Sequence, residues 1–466
     1  MRYGRVGRSV VHVQLTGAWR SHHEAVQRLE ASYRAIPTGS PVRLAKRTSN
    51  LFRPRASTGR PGLDVSGLTG VLEVDPASRT AEVAGMCTYA DLVAATLPYG
   101  LTPLVVPQLK TITLGGAVSG LGIEAASFRN GLPHESVLEL DVLTGAGEIV
   151  TAGPGDELFA GFPNSYGTVG YATRLRIELE PVHSHVALRH LRFDDLDALC
   201  AAVAQIMATR QWDGEDVDYL DGVMFSAAES YLTLGRRTNF DGPASDYTGM
   251  QVYYRSIQRR RCDVLTTHDY LWRWDTDWFW CSGGLGAQHP VIRALWPPRL
   301  RRSDVYWKIV ALANRFDLEN RFEVWRGRPR RERVIQDVEI PLERTAEFLR
   351  WFAQHVPIEP VWLCPLRLRG KHSWPLYPLE PGRDYVNVGF WSSVPIAPGG
   401  TDSDTNRAIE HQVDALGGHK SLYSDSFYSR AEFDARYGGE HYAVLKQRYD
   451  PDRRLLDLYA KAVRRR

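Results

Sequence analysis

The sequence predicts an α+β protein with more than one domain, and three observations support this prediction. The chain has 466 residues with 43% hydrophobic content, which is long enough for two or three buried cores. Short β-branched runs alternate with turn residues through the first 182 residues. The stretch "RHLRFDDLDALCAAVAQIMATRQ" then begins a new unit, since it predicts an amphipathic helix capped by Asp194 or Asp195.

The elements of the first unit follow from local patterns. "GVLEVDPASRTAEVAG" predicts two strands joined by an Asp-Pro turn, and "TYADLVAATLPYG" predicts a short helix that is capped by Thr88 and stops near Gly100. "VLELDVLTGAGEIVTA" predicts a hairpin with Gly145 and Gly147 in its turn. "GTVGYATRLRIELEPV" predicts a further strand, because its apolar residues alternate.

Composition excludes several classes of function. The net charge of +3 argues against a nucleic-acid-binding protein, which needs a strongly basic domain. Five cysteines without a C-x-x-C pair argue against structural zinc and favour a reducing, cytoplasmic compartment. The N-terminus "MRYGRVGRSVVHVQLTG" lacks an apolar signal region, and no apolar run of transmembrane length occurs. We therefore expect neither a metal site nor a membrane-spanning segment.

A glycine-rich stretch, "TITLGGAVSGLGIEAASFRNG", points to a ligand. Glycine is costly within an element, so such a cluster indicates backbone that approaches a ligand closely or adopts positive φ. A bound anion is the first hypothesis. The spacing fits neither a P-loop nor a Rossmann turn, and a loop that merely turns remains the alternative.

The order of these motifs resembles the FAD-binding (PCMH-type) domain of the vanillyl-alcohol oxidase superfamily. There "LGGAVSGLG" corresponds to backbone around the flavin, followed by a Ser, a Gly and a later G-T-x-G turn. The resemblance implies a two-subdomain FAD-binding domain whose amide groups reach a diphosphate and a flavin ring. The implied cofactor contacts are Arg47, Thr48, Ser49, Asn50, Gln108, Thr111, Thr113, Gly115, Gly116, Gly120, Gly122, Ser127, Gly131, Gly167, Thr168 and Gly170.

Further motifs resemble the Δ24-sterol reductase branch of that superfamily. They are "TGRPG", "LEVD", "LTPLVVPQL", "GLGIEAAS", "NSYGTVG", "VIQDVEIP", "VWLCPLRL" and "SLYSDSFYSRAEFD". The resemblance implies an FAD-binding domain over residues 1–182, an α+β substrate domain over 183–420, and a helical segment over 421–466 that packs back near the flavin. The sterol reductases carry an N-terminal membrane anchor that this sequence lacks, so we expect a cytoplasmic protein that is peripheral to a membrane at most.

We expect FAD to be bound noncovalently. Superfamily members that bind flavin covalently often use a histidine of the first pyrophosphate loop, and residues 43–55 contain none. That loop, "RLAKRTSNLFR", also lacks the usual glycine run. Cys87 and His134 are the nearest alternative attachment sites. Cys87 has an ordinary explanation as a buried strand thiol, and His134 has one as a surface loop histidine.

The resemblance implies reduction of an unactivated carbon–carbon double bond in a lipid, with NADPH as electron donor. Such a bond must be protonated before it accepts hydride, which requires an acid in a dry pocket. A methylene-branched fatty acyl chain and a sterol side chain both meet this description, and actinobacterial relatives are associated with the former. Oxidation of a small alcohol is the alternative, and a noncatalytic flavoprotein is a third hypothesis. No Rossmann motif is present, so NADPH would use the flavin site in alternation with the lipid.

Five residues are candidates for the catalytic chemistry. Glu124 follows the glycine loop and is the first choice for the acid, with pairing to an arginine as the structural alternative. Tyr423, Asp425 and Tyr428 form a compact polar group that the resemblance places against the flavin domain. The structural alternative is a helix start with Ser429 and Glu432 as its capping box. Arg367 lies either near the flavin N1 and O2 or on the surface.

An aromatic stretch, "YLWRWDTDWFWCSGG", has two interpretations. Four tryptophans in nine positions indicate either ordinary core or the lining of a lipid tunnel. Its neighbours "PPRLRRSD" and "WRGRPRRERV" add a basic rim that suits anionic lipid headgroups or phosphates, although such loops are usually just solvated. We expect a lipid substrate and peripheral contact with an anionic membrane.

Overall fold

Two antiparallel sheets form the frame of the protein. The computed structural model describes residues 17–45, 52 and 62–463. The first sheet has the order β1-β2-β6-β4-β5, and β3 pairs with β6. Its strands are β1 (Val71–Asp75), β2 (Thr80–Ala84), β3 (Leu101–Pro103), β4 (Val137–Thr144), β5 (Ile149–Ala152) and β6 (Gly170–Pro181). The two predicted hairpins, β1–β2 and β4–β5, are confirmed.

Short helices pack around this sheet and begin where their caps predict. Thr88 accepts a hydrogen bond from the amide of Asp91 at 3.2 Å, and Gly100 ends the following turn with φ of +67°. Both predicted boundaries are therefore confirmed. The helices are α1 (Gly17–Arg34), α2 (Tyr89–Thr96), α3 (Leu114–Gly120), α4 (Ser127–Asn130) and α5 (Glu157–Gly161).

The second sheet has eight antiparallel strands in the order β12-β7-β11-β10-β14-β15-β13-β16. The chain enters it directly after β6, so the predicted limit at residue 182 falls between the two sheets. Its strands are β7 (His185–Phe193), β10 (Tyr219–Ser226), β11 (Glu229–Thr238), β12 (Cys262–Thr266), β13 (Arg331–Pro341), β14 (Val361–Arg367), β15 (Asp384–Pro395) and β16 (His419–Lys420); β8 (Gln211–Trp212) and β9 (Glu215–Asp216) pair separately.

The remaining helices cover this sheet and its connections. Asp195, one of the two predicted caps, accepts from the amide of Ala198 at 2.8 Å and starts α6. The helices are α6 (Leu196–Thr209), α7 (Tyr253–Ile257), α8 (Thr267–Leu271), α9 (Pro290–Leu295), α10 (Ser303–Arg315), α11 (Leu318–Trp325), α12 (Leu342–His355), α13 (Asp404–Ala415), α14 (Arg430–Arg436), α15 (Gly439–Tyr449) and α16 (Leu458–Ala462). None of the helices within the described ranges is both long and apolar enough to cross a membrane.

The eight-stranded sheet is buried on both faces. Along β14, Trp362 and Cys364 belong to a core that also contains Leu175 of the first sheet, whereas Leu363 belongs to a second core with Phe348 of α12. Alternate side chains of a strand point to opposite faces. One face of this sheet is therefore turned toward the first sheet, and a functional site between them would be lined by every second residue.

The C-terminal segment returns to the first sheet, as the resemblance implies. The amide of Phe52 donates to the carbonyl of Tyr423 at 3.0 Å, and Lys446 Nζ donates to the carbonyl of Thr168 at 2.9 Å. The predicted capping box at Ser429 and Glu432 is present at the start of α14. Residues that are far apart in sequence thus come together where the C-terminal segment packs against the first unit.

Candidate functional site

A cavity of about 1570 Å³ lies between the glycine-rich stretch and the eight-stranded sheet. One wall is backbone around α3, and the opposite wall consists of side chains from β13, β14, β15 and the C-terminal segment. Nine of the predicted cofactor contacts line it: Gln108, Thr111, Thr113, Gly115, Gly116, Gly120, Gly122, Gly167 and Gly170.

Close packing explains why glycine occupies the α3 wall. Thr113 caps the helix. A Cβ on Gly115 would lie 2.6 Å from the carbonyl oxygen of Gly85, and one on Gly122 would lie 2.8 Å from Pro107. These contacts are with protein atoms, so the glycines are needed to seat the loop, and the wall that results is bare backbone.

Three predicted cofactor contacts do not line the cavity. The Ser127 hydroxyl accepts from a backbone amide within its own turn at 3.2 Å, and the Thr168 hydroxyl donates to a backbone carbonyl at 2.7 Å. Gly131 has φ of +70°, and a Cβ there would lie 1.9 Å from Glu135. These residues shape the turns of the domain. Four further predicted contacts lie outside the described residues: Arg47, Thr48, Ser49 and Asn50.

Glu124, the first choice for the acid, is held in a buried ion cluster. Its Oε1 accepts from Arg273 Nη2 at 2.8 Å, and the same nitrogen donates to Asp221 Oδ2 at 2.8 Å. All three side chains are at most 2% exposed. Burial raises the pKa of Glu124, although the charge of Arg273 opposes this. Glu124 is not among the cavity-lining residues, so its position fits the structural alternative.

Tyr423 is the only predicted catalytic residue among those that line the cavity. Arg367 Nη2 instead pairs with Asp384 Oδ2 at 2.8 Å. The Tyr428 hydroxyl faces a carboxylate of α13 at 3.5 Å. Asp425 also lies away from the lining residues.

Three carboxyl groups that are not among the predicted site residues line the cavity: Asp304 of α10, which pairs with Arg302 and Lys308, and two on one strand. Asp337 and Glu339 lie on β13, and Val338 between them belongs to the core on the other face of the sheet. The sequence "VIQDVEIP" indicates this pair, because two acidic residues at alternate positions interrupt an otherwise apolar strand. Alternate positions of a strand share a face, so these carboxyls had to lie together.

The Asp337 carboxyl is held by a defined set of contacts. Asn387 Nδ2 donates to its Oδ1 at 3.1 Å, and a hydrogen bond joins it to the Tyr423 hydroxyl. Trp391 Nε1 donates to the Tyr423 oxygen at 2.8 Å. On the neighbouring strand β15, a Cβ on Gly389 would lie 2.3 Å from Asp337 Oδ1, so the glycine leaves room for the carboxyl group. Burial raises the pKa of Asp337 to about 6, and the hydrogen bonds oppose that shift.

Glu339 has a separate partner. It accepts a hydrogen bond from the Tyr377 hydroxyl, and both residues line the cavity. Burial raises the pKa of Glu339 to about 8, with a smaller contribution from the charge of Asp337. Burial therefore favours the protonated form of Glu339 at neutral pH.

The aromatic stretch divides between core and cavity. Trp272 and Trp274 are buried in the core, whereas Trp278 and Phe279 line the cavity. Phe279 stacks on Trp391 with ring centroids 4.4 Å apart. Part of the stretch is thus ordinary core, and part of it also lines the cavity. The carboxyl groups of β13 lie along an apolar, aromatic wall.

His134 is not the surface residue that the sequence predicts. Its ring is 2% exposed and packs edge-on against Trp374 with centroids 4.3 Å apart, and burial lowers its pKa to about 3. Cys87 is buried, as predicted. Neither is among the residues that line the cavity.

Comparison with known proteins identifies the cofactor. Residues 23–153 match the family described as FAD binding domain, a range that includes β1 to β5 and the glycine-rich α3. Two Delta(24)-sterol reductases extend the similarity: the Homo sapiens protein is 24% identical over 426 residues, covering 84% of this chain and 78% of that protein. The Arabidopsis thaliana protein is 24% identical over 446 residues, covering 87% and 77%.

The chain is an FAD-dependent oxidoreductase related to the Δ24-sterol reductases. Cytokinin dehydrogenase 10 of Oryza sativa subsp. japonica is similar over a shorter stretch. It is 32% identical over 181 residues, which cover 38% of this chain and 32% of that protein.

The cavity of this flavoprotein suits FAD and leaves room for a substrate. Its volume of about 1570 Å³ exceeds the roughly 300–1,000 Å³ of ordinary ligand pockets. Gln108 Nε2, at the wall, is buried without a hydrogen-bond partner in the described part of the chain. Lys461 adds a cation to the lining. A bound FAD would meet the glycine backbone, Gln108 and Lys461 on the α3 side.

Proposed function

We propose that the protein reduces an unactivated carbon–carbon double bond of a lipid, with electrons from NADPH. A methylene-branched fatty acyl chain or a sterol side chain is the substrate class. The observation that carries the proposal is the pair Asp337 and Glu339, whose pKa values are raised to about 6 and about 8 on an aromatic cavity wall. The relationship to Delta(24)-sterol reductases supports this reaction class.

An isolated alkene needs a proton donor before it can accept hydride. Protonation of a 1,1-disubstituted or trisubstituted alkene gives a tertiary cation, and a donor for this step works best when its pKa lies near the working pH. FAD, when bound and reduced, supplies the hydride. An ordinary aspartate would be fully ionised at neutral pH. The raised pKa of Asp337 keeps a useful fraction of the acid form available.

The hydrogen bonds around Asp337 suit proton delivery. Trp391 Nε1–H donates to the Tyr423 oxygen, which leaves the Tyr423 hydrogen for the carboxyl group of Asp337. Burial raises the pKa of Tyr423 well above its ordinary value, so the hydroxyl remains a donor. Asp337 gives its proton to the alkene, and Tyr423 and Asn387 then stabilise the carboxylate. Glu339 stays protonated and adds no second charge.

The shape and lining of the cavity favour a lipid over a small alcohol. Aromatic and aliphatic side chains line it, among them Ile123, Phe162, Trp278 and Trp362. Apolar walls gain free energy by covering apolar substrate surface, at about 25 cal/mol per Å². An alcohol oxidase of the same superfamily is the alternative, but a small polar substrate would leave much of this wall uncovered.

Anaerobic stopped-flow mixing tests the electron donor. Under argon, NADPH should bleach the flavin absorbance of the oxidised protein in a saturable, single-exponential phase, whereas a panel of small primary alcohols should not. Free FAD at the same concentration is the control for nonenzymatic reduction. Bleaching by an alcohol and none by NADPH would refute the proposal in favour of alcohol oxidation. Lipid extracts of the host after gene deletion should accumulate the unsaturated or methylene species.

A further inference from the structure

Apart from the cavity, one region of the protein surface is both apolar and basic. The structure exposes sixteen large apolar side chains among its described residues, and eleven of them lie between Val291 and Trp325, in α9, α10, α11 and their connections. Exposed apolar side chains on soluble proteins are usually scattered, so a concentration of this kind indicates a contact surface. We call residues 290–330 the apolar–basic surface.

The exposed side chains of α10 occupy one helical face. Ile309, Leu312 and Phe316 recur at spacings of three and four residues, which places them on one stripe. A different stripe of the same helix, including Trp307 and Lys308, lines the cavity. The exposed stripe of α10 thus lies directly beside the wall of the cavity.

Helix α11 repeats this pattern. Leu318, Phe322 and Trp325 are spaced by four and three residues and are all exposed, with Trp325 exposed to 80%. Phe322 and Trp325 are in ring contact at 5.9 Å between centroids. Tryptophan is favoured at membrane–water interfaces because it combines an apolar body with a polar N–H.

The charge of this surface selects the partner. Residues 290–330 contain ten Lys or Arg and four Asp or Glu; Arg293 and Arg301 are buried, so the remaining charged residues carry a net charge of +4 in a chain whose total is +3. Arg315 lies 5.9 Å from the ring of Phe316, and Arg326 lies 5.3 Å from the ring of Phe322. Arginine stems of this kind cover apolar surface while their heads reach outward. Basic heads around apolar faces complement anionic headgroups above acyl chains.

We propose that the apolar–basic surface docks the protein on an anionic lipid bilayer, with the exposed stripes of α10 and α11 buried at the headgroup boundary. Because α10 also lines the cavity, docking brings the bilayer next to the cavity wall. The transfer of substrate along this route rests on the proposed function, whereas bilayer binding does not.

Vesicle cosedimentation of the FAD-loaded protein tests the docking separately from activity. The wild type should bind vesicles of phosphatidylcholine and phosphatidylglycerol but not phosphatidylcholine alone, and binding should weaken as salt rises. Arg315→Glu with Arg321→Glu should weaken binding about 25-fold or more, since each basic residue contributes about fivefold. Leu312→Ser should also weaken it. The matched controls Arg20→Glu on α1 and Val444→Ser on α15 change similarly exposed residues and should leave binding unchanged.

Three results would overturn the proposal. They are wild-type protein that ignores anionic vesicles, equal binding to neutral and anionic vesicles, and weakening by the control substitutions to the same extent. Size-exclusion chromatography provides a fourth: a dimer that Leu312→Ser dissociates would show that a second copy covers this surface instead. Flavin reduction by NADPH should be unaffected by Leu312→Ser, so a failed proposed function would not alter the vesicle result.

Discussion

Replacing Asp337 by asparagine separates the two half-reactions. The substitution keeps the shape of the side chain and an oxygen for Asn387, but it removes the transferable proton. Flavin reduction by NADPH should remain within a few-fold of wild type. Reoxidation of the reduced flavin by an alkenyl lipid should slow by about a hundred- to ten-thousand-fold, the usual contribution of a general acid.

The same substitution should stabilise the folded protein. Burial raises the pKa of Asp337 from 3.8 to about 6, so the folded state binds the proton more tightly than the unfolded state. Its contribution to the free energy of unfolding is therefore present below pH 3.8 and is lost as pH rises through 6. The shift corresponds to at most about 3 kcal/mol, and the open cavity face reduces this to about 1–3 kcal/mol. Asp337→Asn should unfold at higher temperature above pH 6 and show no such gain near pH 4.

Anaerobic stopped-flow between pH 5 and 9 and thermal unfolding between pH 4 and 9 provide the assay. In the wild type, the alkene half-reaction should decline as pH rises through about 6, and in Asp337→Asn this decline should disappear. A decline centred near 8 would instead assign the acid to Glu339. Asp263→Asn, which removes a buried carboxylate of β12 outside the cavity, is the matched control and should destabilise the fold without changing reoxidation. Unchanged reoxidation in Asp337→Asn would refute the reasoning.

Four further predictions concern the rest of the site. Gly116→Val should yield folded apoprotein, because it adds a β-branched side chain to the backbone wall of the cavity, and full FAD content by absorbance would contradict this. Arg273→Met should lower the free energy of unfolding by about 3–5 kcal/mol in urea titrations, since Glu124 and Asp221 lose their shared cation. Glu124→Gln, in contrast, should leave alkene-driven reoxidation within a few-fold of wild type, and a hundredfold loss would restore it as the acid. Acid precipitation should release all the flavin into the supernatant, and flavin retained in the pellet would exclude noncovalent binding.

Local signals were sufficient for much of the fold. Thr88, Asp195 and the Ser429 capping box start helices where predicted, because a cap depends on only a few neighbouring residues. The glycine-rich stretch, which predicts a ligand-binding loop, lines the cavity.

Which carboxyl groups face the cavity depends in part on strand pairings and ion pairs between distant residues, which no local pattern contains. Glu124 is a carboxylic acid beside the glycine-rich loop, as the sequence suggests. However, Arg273, which lies 149 residues later in the sequence, binds its carboxylate. Asp337 becomes a cavity residue only because β13 pairs with β15, where Gly389 and Asn387 make room for it and bind it. His134 was misplaced for the same reason, since Trp374 buries it from a distant part of the chain.

Single-turnover product analysis tests the central claim most directly. The NADPH-reduced protein, freed of excess nucleotide under argon, is mixed with a methylene-branched acyl lipid, and both the flavin spectrum and the lipid are followed. We predict that the oxidised flavin spectrum returns with one saturated lipid formed per flavin. A flavin that stays reduced until oxygen is admitted, with the alkene recovered intact, would contradict the account.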